Sequence, residues 1–193
     1  MTTYKTMNGT VGAYGHGDYT DYLPTLKKDG TYRPGKWLPK VQPVLCESGY
    51  HGCRNLEEVL EHTARDLYEI EHRGAEDTGN DKAAWEQIRF LRPVLGWNER
   101  NLRLFSVDCA RSVAHTIPDA ERGLYDAILD IYVAYAEYGE EWAVARNVAL
   151  AVARDMAWDA AQDEAWAAER DAMLANLATY LDGTNEWCVE VTQ

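Results

Sequence analysis

The chain has 193 residues, of which 46% are hydrophobic and 26% charged, a balance typical of globular proteins and unlike that of disordered chains. No apolar run approaches the roughly 18 residues of a transmembrane helix, and residues 1–5 lack the basic and then apolar pattern of a signal peptide. We therefore expect a cytoplasmic protein that does not span a membrane and keeps its four cysteines reduced.

The net charge of −13 is distributed unevenly along the chain. Residues 1–55 carry seven Lys and Arg against four Asp and Glu, a net charge of +3, whereas the remainder carries −16. An acidic surface of this size repels phosphates and anionic lipids, so we expect no direct binding to nucleic acid or to a membrane. It attracts a basic protein surface, although it equally serves to keep an alanine-rich helical protein in solution.

Short strands and turns are predicted for residues 1–45, where glycine and proline are concentrated. Gly12, Gly15 and Gly17 do not belong to a Gly-x-x-x-x-Gly-Lys-Ser/Thr phosphate loop, so turns with positive φ explain them better. Residues 41–45 are predicted to form an edge strand, because Pro43 within them cannot donate to a neighbouring strand.

The next segment is predicted to form a helix followed by strands. Asn55 caps a helix that runs through Leu56, Val59, Leu60 and Ala64, and Glu58, three residues after the cap, completes a capping box. Residues 66–73 alternate apolar and charged side chains, which predicts a half-buried strand, and residues 74–80 are predicted as a loop. The apolar spacing in residues 83–91 fits both a strand and a helix.

From residue 97 onward the chain is predicted to be helical. Asn98 caps a first helix, and a second helix begins at Pro118 and ends at Gly139. Residues 140–181 contain neither Pro nor Gly and form either one long helix or two, with a break near residues 159–163. The residues expected in the helical core are Leu102, Phe105, Cys109, Val113, Leu124, Ile128, Ile131, Tyr135, Trp142, Trp158 and Trp166.

Together these elements predict an α+β fold in two parts. Residues 1–96 form a small β-rich unit with one helix, packed on an acidic, Ala- and Trp-rich α-helical bundle of residues 97–193. Residues 186–191 are predicted as a final strand of the second part. The sequence leaves the oligomeric state open, a homo-oligomer included.

Residues 45–54 concentrate chemically active side chains within one loop. The candidate binding residues are Cys46, Glu47, His51, Cys53, Arg54 and, from a later segment, Lys82. Cys46, His51 and Cys53 offer three of the four ligands of a tetrahedral zinc site, and the fourth would be Cys109, Cys188, His62 or His72. Because no Cys-x2-Cys pair is present, buried thiols and a hydrogen-bonded His51 explain the spacing without a cofactor.

Two further chemistries are compatible with this loop. A cysteine nucleophile would use His51 as its base, although the flanking residues match no cysteine protease signature. An anion or nucleotide site would use the backbone at Gly49 and Gly52 together with Arg54 or Lys82, unless these cations pair with the acidic helices. No residue is assigned a catalytic role.

Two motifs are specific enough to indicate a relationship: Cys-x-x-Gly-x-His-x-Cys-Arg at residues 46–54 and Arg-Leu-Phe-x-x-Asp-Cys-Ala at residues 103–110. With residues 33–37, 68–71 and 97–99, they resemble an uncharacterised protein family of actinobacteria and their bacteriophages. The helical half is similar to an immunity-protein domain of polymorphic toxin systems. The resemblance implies a role in binding or neutralising another protein, and it brings no catalytic residues with it.

The expected function is therefore that of a non-enzymatic, phage-encoded binding protein. Its acidic helices would act on a host or toxin protein with a basic surface. One alternative is a small-molecule or nucleotide-processing enzyme that uses residues 46–54, which a deep pocket lined by His51, Arg54 and Lys82 would favour. The other is a structural or assembly protein of a virion, which symmetric self-association would favour.

Overall fold

The computed structural model describes residues 2–62, 64–112, 114–117, 119–138 and 166–185. The chain divides into two compact units, Met1–Trp97 and Asn98–Gln193. The first is built on an antiparallel sheet and the second on helices, so the predicted mixed α+β class is confirmed. None of the helices in the described ranges combines the length and the apolar character needed to cross a membrane.

The first unit consists of short and long antiparallel strands with one short helix. The strands are β1 (Thr3–Asn8), β2 (Val11–Gly12), β3 (Thr25–Leu26), β4 (Tyr32–Arg33), β5 (Tyr50–Gly52), β6 (Asp66–Thr78) and β7 (Ala83–Pro93), and the helix is α1 (Leu56–Leu60). Five strands form one sheet in the order β2-β1-β6-β7-β5, and β3 pairs with β4 separately.

The sheet curls because the chain that leaves β5 returns to β1. β5 pairs with β7, and Cys53, directly after β5, pairs with Tyr4 of β1. The Tyr4 N–H donates to the Cys53 carbonyl at 2.7 Å, and the Cys53 N–H donates to the Tyr4 carbonyl at 2.8 Å. This bridge brings Lys5 of β1 beside His51 of β5, two residues that lie 46 positions apart in the sequence.

β6 is longer than the sequence pattern predicts. The predicted strand ended at residue 73, whereas β6 continues to Thr78 and pairs with β7 over most of its length. Gly74 has a φ of +86°, and the register shifts between Arg73 and Glu76. The prediction of a loop at residues 74–80 was therefore wrong for most of that range, because a β-bulge accommodates the glycine within the strand.

Residues 83–91, whose spacing fits both a strand and a helix, lie in β7. The successive residues Ala83, Ala84 and Trp85 are all at most 1% exposed, so both faces of this strand are covered. A strand buried on both faces loses the alternation of apolar and polar residues, which explains the ambiguity. The core around β7 consists of Met7, Tyr19, Leu38, Ile70, Ala83, Trp85, Ile88 and Phe90.

The predicted edge strand at residues 41–45 does not form. The N–H groups of Leu38 and Val41 donate to carbonyls of β7, at 2.9 and 3.1 Å, and the chain then turns. Val44 and Ser48 exchange two backbone hydrogen bonds, of 3.0 and 2.9 Å, around that turn. Cys46 within it has a φ of +64°, a left-handed conformation that side chains other than glycine rarely adopt.

The helix cap predicted at Asn55 is confirmed. The Asn55 Oδ1 accepts a hydrogen bond from the Glu58 N–H at 2.9 Å, as an N-cap side chain does. The Glu58 carboxylate reaches back to the N–H of Arg54 at 2.7 Å, so the reciprocal bond closes one residue earlier than in a standard capping box.

The second unit contains the helices α2 (Glu99–Ser112), α3 (Asp119–Tyr138) and α4 (Trp166–Asp182), with a 3₁₀ turn at Ala114–Thr116. Asn98 caps α2 as predicted, since its Oδ1 accepts a hydrogen bond from the Asn101 N–H at 3.0 Å. The predictions for residues 140–165 and 186–191 lie outside the described residues, and so do those for the Trp166 and Val113 side chains.

The face that α3 buries differs from the predicted one at Leu124, which is 64% exposed. The Tyr125 hydroxyl instead donates to the carbonyl of Ala110 in α2 at 2.7 Å, which fixes the rotation of α3 against α2. The buried residues of α3 are Tyr125, Ile128, Leu129, Tyr132, Tyr135 and Ala136. The apolar side chains of α3 point in several directions around its axis. Its sequence alone therefore does not determine which face packs against a neighbouring helix.

Candidate functional site

A cavity of about 770 Å³ opens in the first unit, and residues from distant parts of the sequence line it. They come from β1, from the turn that follows β2, from the segment around β5, and from His62 and Lys82. Five of the six residues predicted to bind a ligand are among them: Cys46, Glu47, His51, Cys53 and Lys82. The curl of the sheet through the Tyr4–Cys53 bridge is what brings β1 to this cavity.

The lining is rich in groups that carry or accept a proton. Five side chains in it are lysine or histidine: Lys5, His16, His51, His62 and Lys82. Among the described residues that line the cavity, Glu47 is the only one with a carboxylate. This composition contrasts with the net charge of −13 of the whole chain.

Lys5 is the least expected member of the lining. The residue is 6% exposed, its Nζ donates to the His51 carbonyl at 2.7 Å, and it lies 5.2 Å from the centre of the Tyr19 ring. Among the described residues, no carboxylate forms an ion pair with its ammonium group. Burial without a counter-charge lowers the pKa of Lys5 to about 8.

His51 holds the loop together and contributes little charge. Its Nε2 accepts a hydrogen bond from the Cys46 N–H at 2.8 Å, which requires a neutral ring with the proton on the other nitrogen. Burial lowers the pKa of His51, and the positive charges of Lys5 and Lys82 lower it further. His51 is therefore uncharged at neutral pH, and the loop geometry depends on that state.

The thiol of Cys53 is not suited to nucleophilic attack. The residue is 1% exposed. Burial, and to a smaller extent the negative charge of Glu58, raises its pKa to about 12. A thiol in this state stays protonated at neutral pH, whereas nucleophilic catalysis needs the thiolate. The geometry thus gives no support to the cysteine-nucleophile alternative at Cys53, and Cys46 lies in the exposed turn.

Cys188, one of the zinc ligands considered from the sequence, lies outside the described residues. In the described part of the chain, no three His, Cys, Asp or Glu side chains are arranged to hold a metal ion. Cys46 and His51 contact each other through the Cys46 N–H, while Cys53 belongs to the bridge with β1.

The structure does not bring Arg54 into the cavity. Its guanidinium forms an ion pair with Glu58, with Nε at 2.6 Å from the carboxylate. Its Nη2 also donates to the carbonyls of Gly79 and Asn80, at 3.0 and 3.3 Å. These bonds tie the loop between β6 and β7 to the start of α1, so Arg54 has a structural role.

A second pair of polar side chains at the cavity, Tyr14 and His62, was not predicted from the sequence, which suggested His62 only as a zinc ligand. The Tyr14 hydroxyl lies 2.8 Å from His62 Nδ1, and His62 Nε2 lies 3.2 Å from the Asp81 backbone carbonyl and 3.4 Å from its carboxylate. His62 is 8% exposed, and Tyr14 is 70% exposed. A hydroxyl beside an imidazole that Asp81 orients is an arrangement that can transfer a proton to or from a bound molecule.

The sequence carried only a faint signal for these missed residues. Tyr14, His62 and Asp81 are far apart in the chain and match no motif, so only folding brings them together. Lys5 could have been noticed, because Thr3, Lys5 and Met7 are two residues apart and therefore lie on the same face of β1, where all three are buried. A lysine at a core-facing strand position is rare unless it is paired.

Comparisons of the chain with protein-family models, with curated proteins and with solved structures give no match. The resemblance to an actinobacterial and phage family, with its immunity-like helical domain, therefore stays a prediction.

Proposed function

We propose that the first unit binds a small anionic organic molecule in the cavity. Such binding is needed for the alternative that the sequence suggested, a small-molecule or nucleotide-processing enzyme. The observation that carries this proposal is that Lys5 and Lys82 line the cavity against one carboxylate, that of Glu47, among the described lining residues of an acidic protein. Both lysines lie near the predicted loop, since their charges, after burial, lower the pKa of His51, that of Lys5 more than that of Lys82. A phosphate or carboxylate on the ligand would pair with these groups.

The shape and the aromatic residues of the cavity support an organic ligand over a bare inorganic ion. Its volume of about 770 Å³ lies within the range of small-molecule sites, which is roughly 300–1,000 Å³. Tyr14, Tyr19 and Tyr50 line it, and Tyr14, which is 70% exposed, can stack on an organic ligand. Gly49, whose φ is +96°, also lines it, but a Cβ there would lie 3.0 Å from Pro43, so this glycine serves packing within the loop.

The Tyr14–His62–Asp81 chain supports chemistry on the ligand in addition to binding. It places a hydroxyl and an imidazole at the wall of the cavity, with the far nitrogen of the imidazole against the backbone carbonyl and the carboxylate of Asp81. Among the features of the first unit, the cavity gives the strongest support to the enzyme alternative. The Tyr14 hydroxyl and the His62 imidazole are groups that can transfer protons.

Replacing Lys82, the half-buried cation of the cavity, tests this proposal. We expect Lys82→Met to weaken binding of a phosphorylated or carboxylated ligand about tenfold, because one charge-assisted contact contributes about 1.5 kcal/mol. The measurement is isothermal titration with a panel of nucleoside and sugar phosphates, at low and high salt. Lys28→Met is the matched control, because Lys28 is exposed and does not line the cavity.

The proposal is wrong if no anion in the panel binds, or if Lys82→Met and Lys28→Met bind every ligand equally well. Binding that is tight but insensitive to salt would contradict it too, because an ionic contact weakens as salt screens it.

A second candidate is the protein-binding function expected from the sequence, and the charge of the second unit favours it. Residues 98–193 carry eighteen Asp and Glu against seven Lys and Arg. On α3, the exposed side chain of Leu124 lies two residues from the exposed Asp126. An apolar group amid carboxylates suits a basic partner surface that contains an apolar pocket.

For this second candidate we expect Leu124→Ser to weaken binding to a basic protein at least tenfold. The partner would be captured at low salt, purified, and titrated against both variants. Leu26→Ser is the control, because Leu26 is similarly exposed, at 59%, but belongs to the first unit. Equal binding by both variants, or the absence of any basic partner, would rule out this role for α3.

A further inference from the structure

We propose that Lys5 is an amine nucleophile that forms an imine with a carbonyl compound in the cavity. The ligand class is then an aldehyde or ketone that carries an anionic group. This inference rests on the proposed function of the same cavity, and it adds a reaction and a residue to it.

The position of Lys5 supports this role. The side chain lines the cavity although the residue is only 6% exposed, so its amine lies at the base of the site and away from bulk water. Within the described residues, one hydrogen bond, to the His51 carbonyl at 2.7 Å, holds the Nζ in place. This acceptor is a neutral backbone group, which orients the amine without stabilising its positive charge as a carboxylate would.

Burial of Lys5 favours its neutral form, which is the form that attacks a carbonyl. The Tyr19 ring, 5.2 Å from the Nζ, and Cys53 favour the charged form, but burial outweighs them and lowers the pKa of Lys5 to about 8. With a pKa of about 8, roughly half of the Lys5 amines are unprotonated at pH 8. An ordinary lysine is unprotonated there in well under about 1% of molecules. Desolvation is a recognised way to activate lysine for this reaction.

The chemical step balances without an oxidant or a reductant. The nitrogen lone pair of the neutral amine attacks the carbonyl carbon, and a C–N bond forms while the C=O π electrons move to oxygen. The oxygen takes up a proton and the nitrogen releases one, which gives a carbinolamine. Loss of the hydroxyl as water, with a proton from an acid, leaves the C=N bond. The Tyr14 hydroxyl lines the same cavity, 2.8 Å from His62 Nδ1, and is a group that can supply this proton.

Reductive trapping on the full-length protein tests this inference. The probe is pyridoxal 5′-phosphate, which combines an aldehyde, an aromatic ring and a phosphate. Protein and probe are mixed at pH 8, sodium borohydride reduces any imine to a stable amine, and peptide mass spectrometry locates the adduct. We expect modification of Lys5 at least tenfold above that of the exposed Lys27, Lys28, Lys36 and Lys40. The yield should rise with pH, with a midpoint near 8.

Two variants make the test specific. Lys5→Met should abolish the selective adduct while the protein stays folded, which circular dichroism checks. Lys28→Met should leave the adduct on Lys5 unchanged. Adducts spread over the exposed lysines in proportion to their exposure, or an adduct on Lys82 in place of Lys5, would overturn the inference.

A second probe separates this inference from the proposed anion site. Pyridoxal has the aldehyde and lacks the phosphate. If both probes label Lys5 equally and inorganic phosphate does not compete, Lys5 is the nucleophile and the anion site is absent. If pyridoxal 5′-phosphate binds in a salt-sensitive way, yet borohydride traps nothing on Lys5, the anion site stands and the imine is refuted.

Discussion

Trp85→Ala should lower the free energy of unfolding of the first unit by about 4 kcal/mol, the largest effect that we expect from one substitution. Trp85 is 1% exposed in β7, its ring stacks on His72 with 4.6 Å between centroids, and its Nε1 donates to Glu76 at 3.1 Å. A Cβ on Gly52 would lie 2.8 Å from the same ring, so β5 packs directly against it. Truncation leaves a cavity that this rigid environment cannot fill.

The measurement is urea unfolding followed by far-UV circular dichroism, because the substitution itself changes tryptophan fluorescence. Leu26→Ala, at a position that is 59% exposed, serves as the control and should change stability by less than about 0.5 kcal/mol. A loss below about 1 kcal/mol for Trp85→Ala would mean that β7 is not at the centre of the core. The same variant should lose the Lys5 adduct, since β5 forms one wall of the cavity.

Lys5→Met should stabilise the protein at neutral pH, by about 2 kcal/mol. The pKa of Lys5 is about 8 in the folded protein, against 10.5 for a free lysine side chain. The difference corresponds to about 3 kcal/mol of destabilisation when the amine is protonated, at about 1.4 kcal/mol for each pKa unit. Methionine removes this charge at similar length, while the loss of the hydrogen bond to His51 costs about 1 kcal/mol.

The sign of the pH dependence follows from proton binding. Between about pH 8 and 10.5 the unfolded chain binds more protons at Lys5 than the folded one, so the stability of the wild type rises with pH in this window. The advantage of Lys5→Met is therefore complete below about pH 8 and disappears toward pH 10.5. Urea titrations across this range, with Lys28→Met as the control, measure it. A Lys5→Met protein less stable than the wild type at pH 7 would contradict the explanation.

The stability of Lys5→Met and its reaction with the aldehyde would together bear on the function of Lys5. A side chain that destabilises the fold and lies in a cavity fits a functional role better than a structural one, since proteins commonly give up stability at their active sites. If Lys5→Met gains stability and loses the aldehyde adduct, the two properties belong to the same buried amine.

The sequence alone determined what depends on near neighbours in the chain. Asn55 and Asn98 cap their helices because a cap needs only the N–H groups two or three residues ahead. The division into a β-rich and a helical part follows from local turn residues and spacing, and this mixed class is what the structure shows. The loop at residues 46–54 stood out because its side chains are adjacent, and most of them line the cavity.

Only the tertiary structure decided which distant residues meet. Lys5 joins His51 because Tyr4 and Cys53 pair and curl the sheet, and Tyr14 reaches His62 across 48 positions of sequence. Packing likewise turned Leu124 outward and made residues 83–91 a strand covered on both faces. Local sequence patterns indicate the propensity and periodicity of one segment. A cavity instead depends on which strands pair with each other, and that pairing is determined by the free energy of the whole fold.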